Sequence, residues 1–252
     1  MNTWGIFGSV HLLSLVLGVI LLLALYFVLK GRRKTTQRIV LFLLSLSGIA
    51  AIIYNLLAWN SPLEYLPLHL CSINAILLPI AILSKNKVIG NMLLLWCLGA
   101  LFAIVMQFYP ASWEDLYGPV FLFFYLPHLL EFGIPLLLFK FGFFKKEAKY
   151  ILTSLGLTIV IYTLVHFCNL LLNPYLVKLG LTDMYGAQVQ VNYMYSITPD
   201  NPLLQVFWGM IPHSYWYMFL IFPILGIYLA IVYFPQLLAL AKRQKKHDLP
   251  EQ

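Results

Sequence analysis

Charge is the scarcest commodity in this sequence: only 10% of its 252 residues are Asp, Glu, Lys or Arg. A soluble domain of this size covers itself with a skin that is about 25–35% charged, so a soluble enzyme is excluded. Cysteine is nearly as sparse. Cys71, Cys97 and Cys168 all fall inside apolar stretches, where a thiol usually serves as a small buried hydrophobe. No spacing rule pairs Cys71 with Cys168 as a disulfide. No HxxxH or HExxH pattern puts two imidazoles on one helix face, so a zinc motif of that kind is absent. No internal repeat of the type carriers show is found. Low-complexity sequence is confined to the last dozen residues, AKRQKKHDLPEQ, which excludes a disordered chain.

What remains is apolar. Hydrophobic residues make up 62% of the sequence, and seven runs reach bilayer length: 6–29, 39–59, 67–84, 88–109, 119–139, 150–173 and 215–238. The predicted fold class is all-α, a polytopic seven-transmembrane-helix bundle. It forms one membrane domain over 1–241, with a long extracytoplasmic loop at 174–214 and a basic cytoplasmic tail at 242–252. The first run lacks a preceding basic residue and is followed by KGRRK, the flank of a retained helix and not of a cleaved signal.

Orientation follows from the basic residues. Every Lys and Arg except Lys178 falls in the connections after runs one, three, five and seven, which predicts an outside N-terminus and a cytoplasmic C-terminus. The net charge of +7 is then a topology signal and not a nucleic-acid footprint.

That topology fixes depth at about 1.5 Å per residue. His11, Asn55, Cys71, Asn74, Gln107, His128, His166 and Asn169 fall in the outer half of the membrane, with His69 and His213 at the outer rim and His247 in the tail. Single polar residues in such helices are often hydrogen-bond glue, which is the reading for His11, Asn55, Gln107 and Asn169. The grouping at one level, however, marks a site that a lipid ester can reach. Glu131 is the only carboxylate inside a span. It pairs either with His128, three residues back on the same face, or with a polar group from another helix. Pro127 and Pro135 bracket that pair and loosen the helix. On a regular helix His69 and Cys71 point about 200° apart, so they act together only if the first turn is unwound. Asn74 shares the face of Cys71, and a base for that thiol has to come from another helix, with His128 the candidate.

The segments LPLHLCS, FFYLPHLLEFG and NYMYSITPDNPLL followed by WGMIPHSYWY resemble the transmembrane protein 164 family and its bacterial YwaF-type relatives. The resemblance spans most of the chain. It implies a lipid acyltransferase with a cysteine nucleophile, falling on Cys71, and a histidine base, falling on His128. The family fold is similar to that of androgen-induced-protein-type lipid hydrolases, which use threonine and histidine. This sequence departs in the proline before His128 and the glutamate three residues after it. An acyl chain would pass from a glycerophospholipid to a lysolipid or other lipid acceptor through a thioester, without cofactor or metal, in a bacterial cytoplasmic membrane with the site toward the extracytoplasmic leaflet. Asn74, Asn192 and Tyr193 are the candidate oxyanion donors. The long loop, rich in tyrosine, is read as an ordered lid. Three rivals stay open: a metal-dependent lipid hydrolase with three of His69, His128, His166 and His213 on zinc, a lipid hydrolase that uses the Cys/His pair, and a non-enzymatic lipid-binding receptor or carrier.

Overall fold

Uninterrupted apolar runs become helices because a helix satisfies its own backbone where no water is available. The computed structural model describes residues 7–58, 62–106, 113–182 and 186–247. Its main elements are α1 (Ser9–Lys30), α2 (Lys34–Ala58), α3 (Leu70–Ser84), α4 (Lys87–Val105), α5 (Leu126–Lys140), α6 (Lys149–Leu179), α7 (Pro202–Met210) and α8 (Phe222–His247). One isolated antiparallel bridge, Thr182 with Gln188, is the sole β feature among the described residues. Among the described residues six helices are long and apolar enough to cross a membrane, the fourth beginning at Phe121 and the sixth at Trp216.

The remaining apolar run is different. α3 is a helix of 15 residues, about 22 Å long, shorter than a hydrocarbon core of about 30 Å. The predicted span began at 67, but Pro67 has no N–H to contribute, Leu68 N–H turns back to Leu66 O, and His69 is extended at φ −71°, ψ 153°. The first turn of the expected helix is therefore unwound. α3 is nonetheless central, packed against α2, α4 and α5. At the other end of the chain α6 runs through Pro174 to Leu179, past the predicted limit of 173. Gln107 and the predicted end of span four lie outside the described residues, as do Trp59 and the tail from 248.

A buried core of Leu29, Leu41, Leu78, Leu93, Ile134 and Leu138 joins α1 to α5. Small residues allow close helix approach there. A Cβ on Gly48 would stand 2.6 Å from Ala75 Cβ, and one on Gly133 would stand 2.2 Å from Leu22 Cδ2. Outward faces are apolar too: Phe27 of α1 is 67% exposed and Leu171 of α6 is 74% exposed, the pattern of lipid-facing surface.

The basic connections gather at one end of the bundle. Arg38 Nε and Nη2 donate to Ile82 O at 2.9 Å and Leu83 O at 2.5 Å, capping the C-terminal end of α3. Lys34 Nζ donates to Phe141 O, Asn91 Nδ2 to Lys145 O at 3.4 Å, and Lys146 Nζ to Val232 O at 3.2 Å. Glu147 joins this end through Lys149 at 2.8 Å and Lys87 at 3.7 Å, and the Lys149 ammonium holds its carboxyl below the usual carboxylate range.

Candidate functional site

The opposite end of α3 opens into a cavity of about 460 Å³, within the range of about 300–1,000 Å³ typical of small-molecule sites. His69, Cys71, His128 and Glu131 all line it, together with Asn55, Glu64, Tyr65, Ser72, Tyr162 and Tyr195 and a larger set of apolar side chains. No Lys or Arg is among the lining residues.

Cys71 is the second residue of α3. The first bond inside this helix runs from Ile73 N–H to His69 O at 3.0 Å, and the His69 side chain does not cap the start. The N–H groups of Leu70, Cys71 and Ser72 therefore precede the helical ladder, and the positive end of the helix dipole falls on the thiol. This local source of positive potential was not seen in the sequence, where the predicted start at Pro67 placed Cys71 one turn into the helix. The three cysteines are free, so no bridge joins Cys71 to Cys168. Cys97 is buried, its thiol between Leu94 O at 3.1 Å and Tyr228 Oη at 3.2 Å.

His128 is aimed by a backbone irregularity. Pro127 cannot donate to the preceding turn, and its ring crowds the carbonyl four residues back. The chain answers with a π-helical turn at Phe121–Tyr125, in which Leu126 N–H reaches Phe121 O; such turns commonly mark functional sites. His128 Nδ1 lies 2.6 Å from Phe124 O. A carbonyl only accepts, so Nδ1 carries the proton and Nε2 of the neutral ring keeps its lone pair. The His128 ring also packs against Phe124 at 4.6 Å.

Glu131, only 4% exposed, stands within electrostatic reach of both His128 and Cys71. Its Oε2 accepts a long bond from Asn74 Nδ2 at 3.5 Å, and its Oε1 would be 3.2 Å from a Cβ on Gly48. Of the two partners expected for it, Asn74 on another helix makes the hydrogen bond, while His128 on its own helix stands only within electrostatic reach. Asn74 itself does not line the cavity; it stands behind the wall, its Oδ1 buried with no hydrogen-bond partner.

His69 accepts Met194 N–H on Nδ1 at 3.4 Å, and its ring meets Tyr193 at 5.5 Å and Tyr195 at 5.6 Å. The other nominated groups sit away from the cavity. Asn192 donates to Thr198 O at 2.8 Å and accepts Ile197 N–H at 3.0 Å. Tyr193 is fully buried, and its hydroxyl donates to Leu63 O. His166 Nδ1 pairs with Ser196 Oγ at 3.0 Å, and His213 is exposed. Neither Asn192 nor Tyr193 lines the cavity, so neither offers the oxyanion donor that their sequence suggested; both fold the long connection instead. Asn169 does the same, donating to Tyr193 O and Ser196 Oγ, each at 2.8 Å, and accepting Tyr193 N–H at 3.0 Å. His11 is glue, its Nδ1 accepting Phe7 N–H at 3.0 Å and its Nε2 at 2.9 Å from Ile104 O. The zinc alternative finds no ligand set: among the described residues no group of three or more His, Cys, Asp or Glu is placed to hold a metal ion.

No curated protein and no solved structure matches the sequence. The family model described as the TMEM164 family matches residues 6–233, which include every residue lining the cavity. A match over nearly the whole length, on a bundle of apolar helices, identifies this integral membrane protein as a member of the TMEM164 family.

Proposed function

We propose that this protein moves an acyl chain between glycerolipids through a thioester on Cys71, with His128 as the base. One observation carries the reading: a thiol at the start of α3 and an imidazole whose Nδ1 is held by Phe124 O line the same largely apolar cavity. In the first step the thiol proton passes to His128 Nε2, sulfur bonds to the ester carbonyl carbon, and the carbonyl electron pair moves onto oxygen. Collapse breaks the bond to the glycerol oxygen, which takes the proton back from His128 and leaves as a lysolipid. In the second step a lipid hydroxyl gives its proton to His128 and attacks the thioester, and the expelled sulfur is reprotonated. Glu131 steadies the imidazolium formed in each step. The developing oxyanion finds N–H donors in the first turn of α3, which the His69 side chain does not cap.

The cavity occupies the end of the bundle away from the Arg38 and Lys145 connections. With the basic connections on the cytoplasmic side, it opens to the extracytoplasmic half of a bacterial cytoplasmic membrane, and α3 counts as a seventh, short span.

The test uses full-length wild type and Cys71→Ala in lipid vesicles, with acyl-labelled phospholipid and added lysolipid. The expected result is lysolipid-dependent transfer, a hydroxylamine-labile acyl group on the wild-type protein, and loss of both in the variant. Transfer that survives in Cys71→Ala removes the nucleophile from the mechanism. Release of free fatty acid unaffected by lysolipid makes the protein a hydrolase that uses the same pair.

A further inference from the structure

The two histidines on the cavity wall are held in opposite tautomers by backbone groups. Phe124 O fixes the proton of His128 on Nδ1 and leaves Nε2 as an acceptor. Met194 N–H, a donor, occupies His69 Nδ1, so the proton of neutral His69 is on Nε2. Each ring presents its Nε2 differently: one takes a proton and the other offers a hydrogen bond. The rings stand within electrostatic reach of one another on the wall that Cys71 also lines.

The hold on His69 is built from strained backbone. Met194 has φ 52° and Tyr195 φ 53°, two consecutive non-glycine residues in the left-handed region, at a cost of about 1–3 kcal/mol each. Residues kept in that region at such cost commonly belong to functional sites. Here the turn puts Met194 N–H on the imidazole and the Tyr193 and Tyr195 rings around it. Asn169 clamps the same turn from α6 through Tyr193 and Ser196. His69 is also outside the helix, extended just before its first turn, so the opposition of directions expected on a regular helix does not separate it from Cys71.

We propose that His69 is a neutral Nε2–H donor to the oxyanion that forms when Cys71 attacks the ester, acting with the N–H groups at the start of α3. This rests on the Cys71 thioester reading. In the attack the sulfur–carbon bond forms and the carbonyl π pair moves onto oxygen, where the His69 hydrogen bond shortens; no proton leaves His69. On collapse the pair returns to the carbonyl as the carbon–oxygen bond to glycerol breaks. His69 therefore serves acyl transfer but not thiol deprotonation, and that separation is measurable.

The experiment compares His69→Asn, His69→Gln and wild type, as full-length protein in lipid vesicles, by two readouts. One is kcat and KM for transfer from phospholipid to lysolipid. The other is the rate of Cys71 alkylation by iodoacetamide, read on the Cys71 peptide by mass spectrometry, a displacement that needs a reactive thiol but forms no oxyanion. Asn keeps an acceptor near Nδ1 for Met194 N–H and loses the donor at Nε2; Gln extends an amide toward the Nε2 position. His69→Asn is expected to lower kcat by about 10²–10³-fold, as loss of one oxyanion donor does, with KM and alkylation near wild type. His69→Gln is expected to recover part of kcat. His128→Phe is the contrast, losing transfer and alkylation together. Equal kcat in His69→Asn and wild type overturns the proposal, as does a parallel fall of alkylation and transfer, which would give His69 a role in thiol activation or in holding the helix start. Failure of the underlying reading shows separately, as transfer that persists in Cys71→Ala.

Discussion

Glu131 is a carboxylate that the chain has buried between helices, with one long bond from Asn74 and no ion pair to Lys or Arg among the described residues. Such a group pays several kcal/mol of desolvation if ionised, so its retention points to work and not to stability. Replacing it by the neutral isostere, Glu131→Gln, is expected to leave the thermal midpoint in detergent unchanged or raised while lowering the transfer rate roughly tenfold or more, because the imidazolium of His128 loses its counter-charge. A drop in midpoint with full activity would assign Glu131 to packing alone. Asn169 is the reverse case. It is fully buried and spends its whole side-chain amide on the Tyr193–Ser196 turn. Asn169→Ala leaves Tyr193 N–H buried without a partner and is expected to cost about 1–3 kcal/mol, read as a lowered midpoint. An unchanged midpoint would mean the turn holds by its tyrosines.

At the level of whole helices, closeness of approach sets what is tolerated. α2 and α3 touch at Gly48 and Ala75, where an added methyl would have to displace Ala75 Cβ from 2.6 Å. Gly48→Ala is expected to destabilise by roughly 1–3 kcal/mol and to disturb Glu131, which lines the same contact. Gly156, on the exposed face of α6, has nothing within 4 Å of its missing Cβ; Gly156→Ala is expected to be neutral or to gain up to about 1 kcal/mol. Equal effects at the two sites would contradict the packing described. The α5–α6 connection carries a surface pair of Glu147 with Lys149. The Glu147 carboxyl is held low in the folded chain. Its contribution is therefore present above the ordinary glutamate value of about 4.3 and fades as pH falls through the lowered value. Glu147→Gln is expected to shift the midpoint only slightly at neutral pH, with the difference narrowing in acid; a gap that widens in acid would reverse the sign.

For the molecule as a whole, apolar length was the part most readable in advance. Six of the runs are long helices because twenty apolar residues have few other ways to satisfy their backbone, and the pattern of Lys and Arg anticipated which connections would share an end. The Cys71 and His128 positions were singled out by their neighbours in LPLHLCS and FFYLPHLLEFG, and both reach one cavity. Three features were not readable. The unwinding before Leu70 depends on a proline turn whose extent composition does not give. The π-helical turn at Phe121–Tyr125 is written in the same apolar residues as an ordinary helix. Depth along a span gives a height but no direction, which is why Asn74 was nominated for the cavity when it stands behind the wall; Asn192 and Tyr193, in the long connection, are committed to hydrogen bonds outside the cavity. The inferred topology has its own check: a reporter inserted after Lys178 is expected outside and one fused at the C-terminus inside, and the two on the same side would refute it.

The connection that was expected to act as a lid is tethered at many points. Asn173 exchanges two hydrogen bonds with Val191 at 3.0 and 2.8 Å, Tyr193 is tied to Leu63, and Tyr217 is tied to Tyr195 and Thr198. Among the described residues these tethers favour a fixed roof over a swinging one. Under the proposed reading, lipid substrates would then arrive sideways, sliding between helices from within the leaflet. Locking the cover with a disulfide between Asn173→Cys and Val191→Cys is expected to leave turnover intact, and turnover that stops until the bridge is reduced would show that the roof opens in every cycle. If the sideways route holds, the proposed transfer is paced by the crowding and fluidity of the surrounding lipid, and stiffening the bilayer alone should slow turnover by a protein whose own atoms have not changed.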